Sequence, residues 1–215
     1  MKPSESIHFI AGPAGRIETI IEAPEAPCGI ALIAHPHPLF GGTHTNKVVH
    51  TLARTFTRLN YIALRPNFRG VGASEGTHDD GRGETDDLLA VLDEARHSFG
   101  ELPVVLAGFS FGAYVQTRVA EALAAAGEPA QRLVLVGTAA GYIEGARNYV
   151  TRAVASDTLI IHGSADETVP LANVLAWAEP LELPVVVIPG ADHFFHRRLH
   201  LLRDIILRTW HDHAV

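Results

Sequence analysis

The chain has 215 residues, 47% of them hydrophobic and 19% charged, which is the composition of a globular domain with a sizeable core. Its formal net charge of −7 argues against nucleic acid or an anionic membrane as the main partner. The single cysteine, Cys28, leaves no internal disulfide, and no stretch is apolar over the roughly 18 residues that a transmembrane helix needs.

The first third of the chain alternates between strand and helix patterns. Residues 7–12 and 16–23 alternate apolar and polar positions around the turn GPAG, which predicts an antiparallel hairpin. Residues 29–36 are a continuous apolar run, as in a strand buried on both faces. Apolar side chains then recur at helical spacing over residues 46–60, and a strand pattern returns at 61–68.

The same alternation continues to the end of the chain. Residues 141–154 are ambiguous, and a short helix is one interpretation of them. The other segments predict strands at 103–109, 132–139, 158–166 and 184–192, and helices at 88–99, 111–126, 171–181 and 199–210.

Strands that alternate with helices predict parallel pairing through right-handed crossovers, with helices on both faces. We therefore expect one α/β domain over residues 1–215, with an open sheet of about eight strands whose first pair is antiparallel. In such sheets the reactive groups lie in loops at the carboxyl ends of the strands. Here those loops follow Ala34, Asn67, Phe109, His162 and Ile188.

The sequence GFSFG at residues 108–112 follows an apolar strand and opens a predicted helix. A sharp strand-to-helix turn makes its central serine, Ser110, project from the sheet, and it requires small residues two positions to either side. Gly108 and Gly112 meet that requirement. The Phe111 N–H in the first helical turn can donate to an oxyanion formed beside Ser110. Since the pattern alone is weak, a glycine-lined turn without catalytic role is the alternative.

A serine nucleophile needs a base, and on this architecture the base is expected to be a histidine that follows the acid in the chain. The histidines after Ser110 are His162, His193, His196, His200, His211 and His213. We choose His193 because it alone lies in a loop just beyond a strand end. His162 ends a strand and is expected to be packed, and His196 and His200 fall in the last predicted helix.

The acid is expected after the strand that precedes the histidine. Asp166 in IIHGSADETVP is our choice, with capping of its own loop as the alternative role. Glu167 is shifted by one residue and would point elsewhere, and Asp157 precedes the strand. Asp192 adjoins His193 in sequence, but adjacent side chains rarely pair in the geometry that a triad needs.

A second oxyanion donor is expected from the loop HPHPLFGGTHTNK after the third strand. Pro36 and Pro38 have no N–H and cannot serve. The backbone N–H of His37 is our first choice, because it lies two residues beyond His35, which ends the strand. Leu39 is the second choice.

No cofactor or metal is expected. The stretch GVGASEG at residues 70–76 has the wrong glycine spacing for a dinucleotide-binding turn, and no helix opens at its first glycines. The histidine pairs His35-x-His37 and His193-x-x-His196 do not belong to a set with the spacing of a known metal site.

Five segments carry a family resemblance: HPHPLFGGTHTNKVV, RPNFRGVGASEG, LAGFSFGAYV, IIHGSADETVP and GADHFFHRRL. Together they resemble the small, capless serine α/β-hydrolases, which are related to dienelactone hydrolase and bacterial carboxylesterases. The resemblance runs from about residue 15 to the end of the chain. It implies an α/β-hydrolase fold without cap domain, with Ser110 as nucleophile, Asp166 as acid and His193 as base. The chain departs from dienelactone hydrolase itself, whose nucleophile is a cysteine.

The expected function is therefore hydrolysis of small carboxylic esters, with a thioesterase or lactone hydrolase using the same triad as alternatives. A binding protein that keeps the scaffold without the chemistry is the alternative of another class. The amino-terminal residues lack the apolar core of a signal peptide, so the expected location is the cytoplasm. The oligomeric state is left open, a homodimer included.

Overall fold

The computed structural model describes residues 4–145 and 147–210. Eight strands in these residues form one sheet in the order β1-β2-β4-β3-β5-β6-β9-β10, and β7 pairs with β8 apart from it. The strands are β1 (Ser4–Gly12), β2 (Gly15–Ala23), β3 (Gly29–Ala34), β4 (Tyr61–Pro66), β5 (Val104–Phe109), β6 (Arg132–Val136), β7 (Gly141–Tyr142), β8 (Asn148–Tyr149), β9 (Leu159–Gly163) and β10 (Val185–Ile188).

The helices in the same residues are α1 (Lys47–Arg58), α2 (Arg82–Phe99), α3 (Phe111–Ala125), α4 (Leu171–Ala178) and α5 (Leu199–Trp210). The Asn46 side chain caps α1 by accepting a hydrogen bond from the Val48 N–H at 2.9 Å. After α4 the chain tightens into a 3₁₀ turn at Glu179–Leu181, because Pro180 cannot continue an α-helix. Within the part of the chain described, no helix combines the length and apolar character needed to span a membrane.

The sheet is mostly parallel, as predicted. β1 pairs antiparallel with β2, and β2 pairs antiparallel with β4, while the remaining neighbours in the sheet run parallel. Parallel strands leave their carboxyl ends at one edge of the sheet. The loops after β3, β4, β5, β9 and β10 therefore meet at that edge.

Two apolar layers lie on the two faces of the sheet. Alternate side chains of β3 contribute to the two layers in turn. Ile30 and Leu32 pack on the face covered by α2, α3 and α4, whereas Ile33 packs on the face covered by α1 and α5. Because all six residues of β3 are buried, its sequence is continuously apolar instead of alternating. The α/β architecture with helices on both faces is confirmed.

The ambiguous segment 141–154 does not form the short helix considered for it. It contains the β7–β8 pair, in which Gly141 lies opposite Tyr149. Gly141 and Gly145 have φ values of 63° and 74°, a left-handed conformation that interrupts a helix. The Asn173 side chain supports this geometry by donating to the Ala140 and Tyr142 carbonyl oxygens at 3.0 and 2.7 Å. Among the described residues between β6 and β9, this small hairpin is the only secondary structure, and there is no cap domain.

Candidate active site

Ser110 lies in the tight turn between β5 and α3, with φ 56° and ψ −117°. A positive φ is strained for a serine, and such strain is typical of functional turns. The turn closes because the flanking glycines lack side chains. A Cβ on Gly108 would lie 2.6 Å from the Ala113 nitrogen, and one on Gly112 would collide with the carbonyl oxygens at the end of β3. The close approach predicted for the two glycines is thus present.

Three side chains form one hydrogen-bonded row at the carboxyl edge of the sheet. The Ser110 Oγ lies 3.0 Å from His193 Nε2, and His193 Nδ1 lies 2.7 Å from Asp166 Oδ2. They come from the loops after β5, β10 and β9, which the sheet order brings together. The exposed fractions are small, 7% for Ser110, 7% for Asp166 and 5% for His193, so the row is largely screened from bulk water.

The carboxylate of Asp166 is held by backbone groups of its own loop. Its Oδ1 accepts hydrogen bonds from the Thr168 and Val169 N–H groups at 2.9 and 2.8 Å, which leaves Oδ2 directed at His193. The loop-capping role and the contact with the histidine therefore belong to the same side chain. Glu167, the next residue, is exposed.

Asp192 does not face His193, although the two are neighbours in sequence. Its side chain accepts from the His196 backbone N–H at 3.0 Å and lies 2.7 Å from His196 Nδ1. His196 lies before α5 begins at Leu199, so its placement inside the last helix was wrong, whereas His200 lies within α5. His211 and His213 are outside the described residues.

The two backbone N–H groups chosen as oxyanion donors have no acceptor within the described residues. Phe111 is the first residue of α3, and His37 precedes the 3₁₀ turn Pro38–Phe40. The Leu39 N–H, the second choice, donates to His37 Nδ1 at 3.3 Å and is thus engaged. The rings of His37 and Phe111 lie 4.8 Å apart, which places the two chain segments side by side next to Ser110.

His37 is uncharged at neutral pH in this setting. Burial is the main cause that lowers its pKa to about 4, and the nearby His78 and Arg147 add repulsion. The exposed Phe40 ring lies 4.7 Å from the His37 ring, so this side of the site offers aromatic surface without a fixed cationic imidazole. A neutral His37 also leaves its Nδ1 free to accept from Leu39.

His35 has a structural role that the sequence did not reveal. Its Nδ1 lies 2.7 Å from the Pro36 carbonyl oxygen, and its Nε2 accepts from the Phe68 N–H at 2.9 Å. The ring therefore joins the loops after β3 and β4 as the Nδ1–H tautomer. It is fully buried, and burial lowers its pKa from 6.5 to about 3. The one sequence signal for this loop-joining role was the position of His35 at the end of a predicted strand.

This buried histidine predicts a loss of stability in acid. The pKa of His35 is lowered in the folded state, so between about pH 6.5 and about pH 3 the unfolded chain binds a proton that the folded chain does not. The folded state therefore becomes less stable as the pH is lowered from about 6.5 to about 3. The slope due to His35 is about 1.4 kcal/mol per pH unit. We expect the free energy of unfolding of His35→Gln, measured with urea over this window, to depend less steeply on pH by about that amount. His200→Gln at an exposed position is the control, and equal slopes for wild type and His35→Gln would contradict the assignment.

A cavity of about 410 Å³ lies near His193 but is not lined by any of the three residues of the row. Phe194 forms one of its walls, and the Phe194 ring lies 5.1 Å from the His193 ring. The loop before α1 and the residues before α5 form the other walls. Among the described residues that line it, Lys47 and Arg197 are cationic, and none is an aspartate or glutamate.

Comparison with known protein families and structures gives one consistent result. A family model described as serine aminopeptidase, S33 matches residues 39–156. The structure of an α/β serine hydrolase homologue from Coxiella burnetii is 40% identical, with a TM-score of 0.83 and coverage of 95% of this chain and 96% of that chain. A protein from Xanthomonas campestris, described as a member of the α/β serine hydrolases without lid, is 34% identical, with a TM-score of 0.84 and coverage of 96% and 93%.

One curated relative matches over a shorter stretch. An uncharacterized protein of Rickettsia prowazekii (strain Madrid E) is 43% identical over 112 residues, which is 50% of this chain. The match spans 46% of that protein, less than half of its length.

Proposed function

Given that this chain belongs to the serine aminopeptidase, S33 family of α/β serine hydrolases, we propose that it hydrolyses small carboxylic esters by acyl transfer to water. The observation that carries the proposal is the row in which Ser110 Oγ contacts His193 and His193 contacts Asp166. A nucleophile, a base and an orienting acid within hydrogen-bond reach are what this chemistry needs.

In the proposed mechanism Ser110 Oγ attacks the ester carbonyl carbon while His193 Nε2 takes the hydroxyl proton. His193 then gives that proton to the leaving alcohol, and the acyl group stays on Ser110. Water, deprotonated by the same Nε2, releases the acid and restores the serine. Throughout the cycle Asp166 Oδ2 holds Nδ1–H and stabilises the imidazolium.

The negative charge that forms on the carbonyl oxygen needs donors already in place. Two observations support Phe111 and His37 as donors: their N–H groups have no acceptor among the described residues, and their rings lie 4.8 Å apart, with the positive end of the α3 dipole behind Phe111. Donors fixed by a helix start and a 3₁₀ turn need no rearrangement when the charge develops, which is why we assign the oxyanion to them.

The charges around the site favour an ester over a peptide with a free amino terminus. A substrate ammonium group would need an available carboxylate, by charge complementarity. Two carboxylates near the site are already paired, Asp80 with Arg147 at 2.6 Å and Asp192 with His196 at 2.7 Å. The nearby cavity carries Lys47 and Arg197 instead, and these repel an ammonium group.

A serine-reactive fluorophosphonate probe combined with a substrate panel tests this function. We expect the probe to label the native protein at Ser110. In the substrate panel we expect simple esters to be hydrolysed with a higher kcat/KM than thioesters, lactones or aminoacyl arylamides. A native protein that the probe does not label would favour a binding protein on the same scaffold. An arylamide with a free amino group as the best substrate would replace the ester assignment with a peptidase.

Substrate size follows from the small hairpin that stands in place of a cap. A long acyl chain finds little wall to bury against, and each CH₂ left in water forfeits about 0.8 kcal/mol of binding. We expect kcat/KM for p-nitrophenyl esters to be highest between acetate and butyrate and to be lower for the octanoate. A value that rises steadily up to the dodecanoate would show that another element, such as a second subunit, supplies the missing wall.

A further inference from the structure

A second histidine, His162, contacts the acid of the row and has no part in the mechanism above. It lies near the end of β9, four residues before Asp166, and its side chain has no exposed surface. Its Nε2 lies 2.9 Å from the Val169 carbonyl oxygen and 3.4 Å from Asp166 Oδ2. That oxygen is the one that accepts from His193 Nδ1.

The tautomer of His162 follows from these partners. The Val169 carbonyl oxygen is an acceptor only, so the hydrogen of His162 is on Nε2. The other ring nitrogen, Nδ1, is buried and has no hydrogen-bond partner among the described residues. Burial also lowers the pKa of His162, so the ring stays neutral at the pH at which the proposed chemistry proceeds.

A neutral ring suits this position. The charged or titratable groups that face it are Asp166 and His193. An imidazolium at His162 would compete with His193 for the charge of Asp166, whereas a neutral ring places no second positive charge beside it. The same N–H is bonded to the Val169 carbonyl oxygen, and the Val169 N–H is bonded to Asp166 Oδ1. The His162 ring thus links β9 to the Val169 backbone, whose N–H binds Asp166 Oδ1, and it also lies beside Asp166 Oδ2.

We propose that His162 is a positioning residue whose neutral Nε2–H holds the Val169 carbonyl, and through the Val169 N–H the Asp166 carboxylate, so that Oδ2 stays directed at His193 Nδ1; this rests on the proposed hydrolase function. The residue acts through Asp166 and does not contact the reacting atoms. Because a displacement of about 1 Å in a catalytic group can cost 100-fold in rate, its effect is expected mainly in kcat.

The test compares two replacements in the full chain. His162→Leu removes the donor, and we expect kcat to fall about 10- to 100-fold while KM changes little. His162→Gln keeps an amide N–H of similar reach, and its kcat should remain within about fivefold of wild type. If His162→Leu does not fold, His162→Asn takes its place, since its shorter amide does not reach Val169 or Asp166. Equal losses for the Gln and Leu variants, or no loss in either, overturn the proposal.

A double-mutant comparison separates positioning from loss of general stability. In an Asp166→Asn background, His162→Leu should lower kcat by less than about threefold, because effects that act through one residue are not additive. The same loss in both backgrounds overturns the proposal. The rate of fluorophosphonate labelling of Ser110 gives a second readout that needs no substrate. A wild-type protein inert to probe and esters overturns the proposed function and this inference with it, whereas an active wild type with an unaffected Leu variant overturns the inference alone.

Discussion

Ser110→Ala should lower kcat for a short p-nitrophenyl ester by about a millionfold, the size of effect that loss of the nucleophile has in a serine protease. The reason is that Ser110 Oγ is the atom on which the proposed mechanism forms the acyl intermediate. The residual rate would come from the oxyanion donors and from substrate binding. The variant should fold, since alanine has the same backbone preferences as serine in this turn, and its melting temperature checks this.

Ser98→Ala is the matched control for that variant. Ser98 is exposed on α2, where its Oγ lies 3.1 Å from Glu94, and its loss should leave both turnover and labelling unchanged. Turnover by Ser110→Ala close to that of the control would contradict the proposed mechanism, because water or another side chain would then be the nucleophile.

Asp166→Asn should lower kcat by about 10⁴-fold, as the corresponding change does in a serine protease. The amide is nearly the same size as the carboxylate and can still face His193. It presents an N–H to Nδ1, however, so the imidazole takes the wrong tautomer and cannot accept the proton of Ser110. Steady-state kinetics with a saturating ester measure the effect, which should appear in kcat more than in KM.

Glu167→Gln and Asp192→Asn are the controls, since each changes a neighbouring acid by the same chemical step. The exposed Glu167 and the His196-paired Asp192 should tolerate the change with activity close to wild type. A loss of activity in one of these controls that exceeds the loss in Asp166→Asn would show that the acid is misassigned.

The sheet and most helices could be predicted because burial determines how apolar residues are spaced along each strand and helix. β3 and β5 are continuously apolar since both of their faces are covered, and α5 carries its buried residues at helical spacing. The β7–β8 pair was missed because each strand is only two residues long, too short for a period to show. Its shape depends on glycine torsions and on the Asn173 side chain from another element.

The site was predictable to the extent that it follows from chain order along the sheet. Ser110, Asp166 and His193 each lie just beyond a strand end, and neighbouring parallel strands bring such positions together. Contacts that depend on the path of a loop were not predictable. His162 was expected to be merely packed, because nothing in IIHGSADETVP shows that the chain turns back far enough for the Val169 carbonyl to meet its ring.

The small hairpin between β6 and β9 also bears on how such a protein can be redesigned. Its outer part is held at Asp80, whose side chain and carbonyl oxygen contact Arg147 at 2.6 and 2.7 Å. There is open space at Gly145, since a Cβ built there would meet no described atom within 4 Å. Lengthening a loop costs only about 0.6 kcal/mol for each doubling of its length. Because Arg147 of the same hairpin lies 6.0 Å from the Phe111 ring, a segment inserted at Gly145 would place new side chains close to the candidate site, while the sheet beneath keeps its own hydrogen bonds.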